Sequence, residues 1–473
     1  MAATAPTIPR RHPPGDPAGV RVRWLVAGIV AVAALSLLIG DQTTYDPTAW
    51  LIWGREIVHA DLSTTAGPSW KPLPVVFTAI GAPFGDAPQQ WLWLIVARAS
   101  ALGALVMVYR LAWRLAGPVA GVIAAAGLLM ASAFATWMFR GDSEGLLVLL
   151  ALGAIEMHLQ GRRRLAFALI ALTTLLRPEL ALFAVGYGLY LLATTPPGTA
   201  RNRLFVAAGG AGVIVVAAWL VPEEIGSGNL FRAASRALEP VAGSPATASR
   251  PFVATFTNAA SILAWPLYAT GVALVVGSVL ERGRGPTGRL ALALAAIATA
   301  LMVLVAAMAE AGFTGNIRYL TLPVALTCVL GGAGAVRLAR LARDRLGGRR
   351  ATAAIVAGAL VAAPFVVHVA VRTADQVRGG QHESRLYSQL DAAIARAGGA
   401  AAIRRCGGVS TGYGFDTQVV ARALGLHEFQ VRLRGAQAPG TSVLRRSRPH
   451  PAGPRFPHVT QVGGWRIEST CAT

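Results

Sequence analysis

The sequence alternates between long apolar runs and short segments that are rich in arginine. About eleven of these runs approach the roughly 20 residues that an α-helix needs to cross a membrane. They predict an all-α polytopic membrane domain over residues 24–371. The runs are 24–40, 91–109, 118–139, 144–159, 165–176, 180–193, 204–221, 259–280, 290–309, 319–336 and 351–371.

One further apolar stretch, residues 72–85, is too short to span a membrane comfortably. Counting it as a span would invert every later loop and place the arginine clusters outside. We therefore expect it to form a helix that lies at, or dips into, the outer face of the membrane. It belongs to a long first outer loop, residues 41–90.

Composition agrees with a membrane protein and changes the meaning of the charge. The 473 residues are 54% hydrophobic and only 14% charged, with a mean hydropathy of +0.53. The net charge of +21 would suit a nucleic-acid partner, but the cations are almost all arginines placed between apolar runs. No aromatic-rich basic patch accompanies them. The predicted partner is therefore the lipid bilayer, and no nucleic acid is expected.

The arginines also predict an orientation. No small-residue cleavage site follows the first apolar run, so residues 1–23 are expected to be a cytoplasmic segment before an uncleaved helix. Each later loop that this orientation places in the cytoplasm then contains an arginine cluster, such as residues 162–164. This threading places residues 372–473 outside the cytoplasm.

The polar tail, residues 372–473, predicts a small extracytoplasmic α/β domain. Residues 384–397 have helical periodicity, and the runs 409–413 and 464–467 are typical of strands. Between the strand-like runs lies a loop that is rich in proline and arginine.

Two of the three cysteines, Cys406 and Cys471, lie in this tail. Oxidation is permitted outside the cytoplasm, so we predict a disulfide between them, against the alternative of two free thiols. Cys328 lies in an apolar run and is expected to fill the core.

The first outer loop carries residues that could perform chemistry. Asp46 follows the first apolar run, Trp50 and then the pair Arg55 and Glu56 come after it, and Lys71 stands directly before a proline. In order and spacing these residues resemble the GT-C superfamily of polyprenyl-phosphate-sugar-dependent membrane glycosyltransferases. Aminoarabinose transferases and protein O-mannosyltransferases are examples of that superfamily.

Further matches lie beyond the loop. Asp142, at the outer end of the third apolar run and close to Glu144, stands where the family has another acidic residue. Arg177, before Pro-Glu, and Arg318, before Tyr, are weaker matches. The resemblance covers roughly the first two hundred residues well and the rest in outline.

The sequence also departs from the family pattern. Asp46 is followed by Pro47, where the family often has glutamate. Lys71 is preceded by Trp70, where the family again often has glutamate. These differences leave the identity of the donor open and allow a divergent or inactive member.

The resemblance implies transfer of a sugar from a polyprenyl-phosphate donor to an extracytoplasmic glycan, lipid or protein. Asp46 would be the catalytic general base, and Asp142 a second catalytic carboxylate that orients the acceptor. Three cations at outer helix ends would bind the donor phosphate, namely Lys71, Arg177 and Arg318. The remaining loop residues would lie near the acceptor, namely Trp50, Arg55 and Glu56.

Each of these residues also has a purely structural interpretation. Asp46 could cap a helix that begins at Pro47. A single arginine at a helix end commonly reaches for the membrane surface, and Arg177 could pair with Glu179. Lys71 is the only lysine among 43 basic residues, which suggests a constraint at this position.

Other polar residues give no sign of a site. His59 and His368 are lone histidines, so we predict no metal centre and no cofactor, with a divalent cation left open. Glu223 and Glu224 are expected to be solvated loop residues.

Two other functions fit the apolar pattern, namely a transporter or lipid flippase and a non-catalytic envelope assembly protein. Transporters place ionisable groups near the bilayer midplane. Here these groups gather at the outer edge and the first loop is long, which favours an enzyme at the membrane surface.

Overall fold

The computed structural model describes residues 22–240, 242–433, 437–448 and 456–471. The predicted cytoplasmic segment 1–23 lies outside the described residues except for its last two. The helices are α1 (Val22–Leu35), α2 (Tyr45–Val58), α3 (Pro72–Gly81), α4 (Asp86–Ala116), α5 (Pro118–Leu129), α6 (Phe134–Arg140), α7 (Glu144–Leu159), α8 (Arg163–Thr174), α9 (Ala181–Thr194), α10 (Thr199–Ser227), α11 (Arg232–Ala237), α12 (Pro251–Ala260), α13 (Trp265–Leu280), α14 (Gly285–Glu310), α15 (Thr321–Leu346), α16 (Gly348–Ser388), α17 (Leu390–Arg396), α18 (Gly399–Cys406) and α19 (Thr417–Ala423). The strands are β1 (Gly408–Thr411), β2 (Val431–Leu433), β3 (Gly440–Arg445), β4 (His458–Val462) and β5 (Trp465–Ser469).

Several of these helices suit a lipid environment. By length and composition, five helical segments in the described residues could cross a membrane, or up to seven if each of two bent pairs counts as one span. Shorter apolar helices accompany them, including the one that begins at Val22. The prediction of a multi-pass membrane protein is therefore confirmed, whereas the number of about eleven spans remains a prediction.

Two of the expected spans are bent. Residues 118–139 form α5 and α6, bent by 66°, and residues 259–280 fall across α12 and α13, bent by 103°. Pro266 lies in the first turn of α13, where its missing N–H costs no helical hydrogen bond, so it suits the start of a new helix at this point. At the other bend, the Gln376 side chain of α16 accepts a 2.8 Å hydrogen bond from the Ala133 N–H. A neighbouring helix thus satisfies backbone that the bend leaves unpaired.

The core of the helical part is centred on α15, which packs against α5 and α13. Glycines permit this close packing. A Cβ at Gly334 would lie 1.9 Å from the carbonyl oxygen of Thr270 in α13, and one at Gly332 would lie 2.5 Å from that of Ala120 in α5. Small residues of this kind let helix backbones approach closely inside a membrane.

The first outer loop contains α2 and α3. With ten residues, α3 is too short to span a membrane. On α2, Trp50 and Trp53 are fully buried, and they pack in one cluster with Trp70 and Trp93 of α4. This aromatic packing fixes α2 on the helical domain and so fixes the residues of its first turn.

The C-terminal part contains a five-stranded mixed sheet with strand order β2-β1-β3-β5-β4. The neighbours of β1 are parallel to it, whereas β5 is antiparallel to both β3 and β4. Val443 of β3 and Ile467 of β5 face each other and are buried with Trp465 against α16 and α17. The small α/β domain expected in the tail is thus present.

This domain is joined to the helical part and closed on itself. The single helix α16 contains the predicted boundary between residues 371 and 372 and continues to Ser388. Cys406 and Cys471 form a disulfide with a Cα–Cα distance of 5.8 Å, which joins the end of α18 to the last described residue. Cys328 is buried and free in α15.

Candidate functional site

Six charged side chains meet where helices of the membrane domain and of the first outer loop begin or end. We call them the charged cluster. Five are buried, and the side chain of Arg318 is 22% exposed. They are Asp46 in the first turn of α2, Lys71 directly before α3, Asp142 between α6 and α7, Glu144 at the start of α7, Arg177 after α8 and Arg318 before α15.

Arg318 joins the three carboxylates of the charged cluster. Its Nη2 donates to Asp46 Oδ2 at 2.5 Å and its Nη1 to Asp142 Oδ1 at 2.8 Å. Its Nε lies 3.8 Å from Glu144 Oε1. A guanidinium presents its donors as a rigid planar fork, which suits contact with several carboxylates at once. Because an unpaired buried charge is strongly destabilising, Arg318 holds these acids together.

Lys71 approaches the same carboxylate oxygen of Asp46 as Arg318 does. Its Nζ is 3.8 Å from Asp46 Oδ2 and 5.1 Å from the centre of the Trp50 ring. The ring face attracts the ammonium group and limits where it can go. The structure therefore brings Trp50 to the charged cluster as the wall beside Lys71.

Arg177 completes the charged cluster from the end of α8. Its Nη2 donates to Glu144 Oε1 at 3.0 Å, and its guanidinium lies 3.9 Å from the centre of the Tyr319 ring. The pairing with Glu179 considered above is absent from the ion pairs of the described residues. Three cations thus face three carboxylates in a nearly closed site.

The groups of the charged cluster differ in how readily they exchange protons. Burial raises the pKa of Asp142 to about 7, and Arg318 opposes that rise only in part. Burial also favours neutral Asp46, but Arg318 and Lys71 outweigh it and hold the pKa of Asp46 below its ordinary value. Burial, helped by nearby Arg177, lowers the pKa of Lys71 to about 8. The cations of the cluster likewise outweigh burial at Glu144 and hold its pKa below the ordinary value. Near neutral pH the site therefore offers two firmly ionised carboxylates and one, Asp142, that can take up or release a proton.

Arg55 and Glu56 lie at the other end of α2, about 14 Å along the helix from Asp46. Arg55 donates a 2.8 Å hydrogen bond to the Leu426 carbonyl, and Glu56 Oε1 lies 2.7 Å from His427 Nδ1. These two residues therefore contact the C-terminal domain and stand apart from the charged cluster.

The segment that leads into Lys71 is held from two sides. Arg232 donates to the carbonyls of Gly67 at 2.9 Å and of Pro68 at 2.8 Å. From the C-terminal domain, Glu428 packs so tightly that a Cβ at Gly67 would lie 1.8 Å from Glu428 Oε2. Gly67 also has a φ of +90°, which only glycine adopts readily. Neither Arg232 nor Glu428 has a signal in the sequence, since both are distant from Lys71 along the chain.

The structure corrects one expectation close to this segment. Glu223 is fully buried within α10, with Oε1 3.8 Å from an Arg232 Nη1, whereas a solvated loop was expected. The helix continues through Pro222 to Ser227, so the charged residues that ended the apolar run do not end the helix. Glu224, the next residue, is exposed.

The charged cluster offers a defined chemistry. Its cations could bind a phosphate, and its carboxylates could accept a proton from an incoming hydroxyl group. Among the described residues, no group of three His, Cys, Asp or Glu side chains is placed to hold a metal ion.

Comparison with known proteins identifies the fold. No protein-family profile matches the sequence, and no curated protein is significantly similar to it in sequence. ArnT from Cupriavidus metallidurans bound to undecaprenyl phosphate matches with a TM-score of 0.52 and 15% identity, over 96% of this chain and 99% of that chain. The apo state of the same protein matches with a TM-score of 0.52 and 14% identity, over 97% and 99% of the two chains. ArnT is an aminoarabinose transferase of the GT-C superfamily, and this chain shares the fold of ArnT, as its outer-loop motifs predicted.

Proposed function

We propose that this protein is a membrane glycosyltransferase that moves a sugar from a polyprenyl-phosphate donor to an extracytoplasmic acceptor. The observation that carries the proposal is the charged cluster, in which buried cations and carboxylates meet at helix ends. The fold supports it, because ArnT has this fold and was solved with undecaprenyl phosphate.

In the proposed reaction the acceptor oxygen forms a bond to the anomeric carbon of the sugar. The bond from that carbon to the phosphate oxygen breaks, and its electron pair leaves with the polyprenyl phosphate. Negative charge grows on this leaving group, so Lys71, Arg177 and Arg318 would stabilise it by charge-assisted hydrogen bonds. The proton of the acceptor hydroxyl passes to a carboxylate of the protein.

The pKa values of Asp46 and Asp142 suggest that these two carboxylates have different roles. A general base works best when its pKa lies near the operating pH. Asp142 meets this condition, with a pKa of about 7. Asp46, which the family resemblance makes the base, is held ionised by Arg318 and Lys71. We therefore assign proton acceptance to Asp142, and to Asp46 the placement of the two cations that contact the phosphate.

Three loop residues support this site in the proposal. Trp50 positions Lys71 through its ring. Arg55 and Glu56 attach the C-terminal domain to α2, which places that domain beside the site. They would thus act on the acceptor through the C-terminal domain.

Transfer can be measured with membrane vesicles that contain the protein and a panel of polyprenyl-phosphate sugars, each labelled in the sugar. We expect label to move to an acceptor with at least one donor, and Asp46→Asn to lower this transfer strongly while the protein still inserts. The matched control is Asp375→Asn, because the Asp375 side chain is 62% exposed and, among the described residues, forms an ion pair with Arg378 alone. Movement of the lipid across the bilayer without sugar transfer would instead indicate a flippase and contradict the proposal.

A further inference from the structure

A second basic site lies at the end of α7 opposite to the charged cluster. The sixteen residues of α7 separate the two sites by about 24 Å along the helix. There the ends of α8, α9 and α10 enclose a cavity of about 480 Å³. We call it the α8–α10 pocket, and its lining includes Arg162, Arg163, Arg164, Leu191, Thr195 and Leu204.

The charge of the α8–α10 pocket is uncompensated. None of its lining residues is acidic, and its three arginines are exposed and make no ion pair within the described residues. The nearby buried acid Glu156 is already engaged, because it accepts hydrogen bonds from Arg110 and Arg114. The guanidinium of Arg163 lies over the Tyr190 ring, 5.6 Å from its centre, which keeps that cation at the pocket rim. An anion would therefore find free donors here.

The other wall of the pocket is apolar and continues onto exposed helix surface. Leu191 and Leu204 line the pocket, and Phe205 and Val206 on α10 are 66% and 71% exposed. In a membrane-spanning helix such a surface faces lipid chains. The hydroxyl of Thr195 donates to the Leu191 carbonyl, so its oxygen can still accept a hydrogen bond from a headgroup.

We propose that the α8–α10 pocket binds an anionic phospholipid. The lipid phosphate contacts the three arginines, and the acyl chains lie along the exposed apolar surface of α9 and α10. Basic pockets between transmembrane helices on the cytoplasmic side suit anionic headgroups, and the arginine distribution predicts that side for this pocket. The proposal does not depend on sugar transfer, since the pocket lies at the far end of α7.

The test uses purified full-length protein in detergent, with bound lipid counted by native mass spectrometry and thermal unfolding followed by fluorescence. Phosphatidylglycerol, phosphatidylcholine and soluble glycerol phosphate are added in turn. We expect phosphatidylglycerol alone to bind at one high-affinity site and raise the unfolding temperature. Replacing all three arginines, R162Q/R163Q/R164Q, should weaken this binding on the order of a hundredfold, since each cation near an anionic lipid contributes several-fold.

The matched control is R345Q/R349Q/R350Q, which removes the same charge from exposed arginines around the junction of α15 and α16. It should bind phosphatidylglycerol as the unmodified protein does. A second pocket variant, Leu204→Trp, places a larger side chain at the apolar wall of the pocket without changing the charge, and it should also weaken binding. This variant tests the proposal independently if the triple variant folds poorly.

Equal loss of binding in the control and the pocket variant would indicate general attraction to basic surface and overturn the proposal. Full retention of binding in Leu204→Trp and the triple pocket variant would overturn it as well. Stabilisation by glycerol phosphate equal to that by phosphatidylglycerol would show a site for a free phosphate ester, and the lipid assignment would be wrong.

Discussion

Replacing Asp142 by asparagine separates the two carboxylates to which the proposed reaction gives different roles. The asparagine keeps the size of the side chain and can still face Arg318, but it cannot take up the acceptor proton. Asp46 and Glu144 remain near Arg318 at 2.5 and 3.8 Å, so the guanidinium keeps two anionic neighbours. The variant is therefore expected to insert and fold.

The size of the effect follows from burial. Asp142 is 6% exposed, and burial raises its pKa from 3.8 to about 7. A base must be ionised to act, so the transfer rate should rise about tenfold per pH unit below pH 7. Above about pH 8 the rate should fall again, because Lys71 then loses the charge that stabilises the leaving phosphate. At pH 8, loss of this base should lower the rate by about two to four orders of magnitude.

The assay is transfer of labelled sugar in proteoliposomes at saturating donor between pH 5.5 and 8.5. We expect Asp142→Asn to lose both the rate and its rise between pH 5.5 and pH 7. Asp46→Asn serves as the matched variant, since Asp46 stays ionised over this range and its loss should lower the rate at every pH while the slope remains. Transfer by Asp142→Asn within threefold of the unmodified protein, with the slope unchanged, would remove Asp142 from proton transfer.

The remaining predictions concern the phosphate contact, the disulfide and the topology. Lys71→Arg should lower transfer clearly, because a planar guanidinium cannot replace a compact ammonium at a site enclosed by other cations. Full activity of this variant would show that the site does not require a lysine at position 71. Replacing both Cys406 and Cys471 with serine should lower the free energy of unfolding of the C-terminal domain by about 4 kcal/mol, since the bridge spans 65 residues, and an unchanged denaturant midpoint would contradict this. Reporter fusions after Arg164 and Arg350 should read cytoplasmic and one at the C-terminus external, whereas a cytoplasmic C-terminus would reverse the threading.

Short sequence motifs predicted many residues of the candidate site. Lys71 stands directly before Pro72, which begins α3, and Asp46 stands directly before Pro47 in the first turn of α2. Short motifs therefore indicate where the helices start and which charges stand there. Hydropathy likewise indicated the membrane domain, and short strand-like runs indicated the strands that contain Val409 and Ile467. These features depend on residues close together in the chain, which is why one sequence reveals them.

Features that depend on contacts between residues far apart in the chain could not be predicted from the sequence. The apolar run 118–139 contains no residue that forces a break, yet it bends, and Gln376 of α16 supplies a partner for the backbone N–H that the bend leaves unpaired. Glu223 looked solvated because its burial depends on Arg232 and on the loop that Arg232 holds. In both cases the stabilising group comes from another part of the chain, and no local pattern records it.

The C-terminal domain shows the same limit most clearly, and it alters how the site should be understood. Ile52 of α2 is buried in the core of that domain, although it belongs to the first outer loop. From the domain, Leu426 and His427 contact α2, and Glu428 packs against Gly67 in the segment that leads to Lys71. The two elements that carry Asp46 and Lys71 therefore both contact the C-terminal domain. A tail that looks like a separate appendage in the sequence is, in the folded protein, part of the support that holds Lys71 beside Asp46.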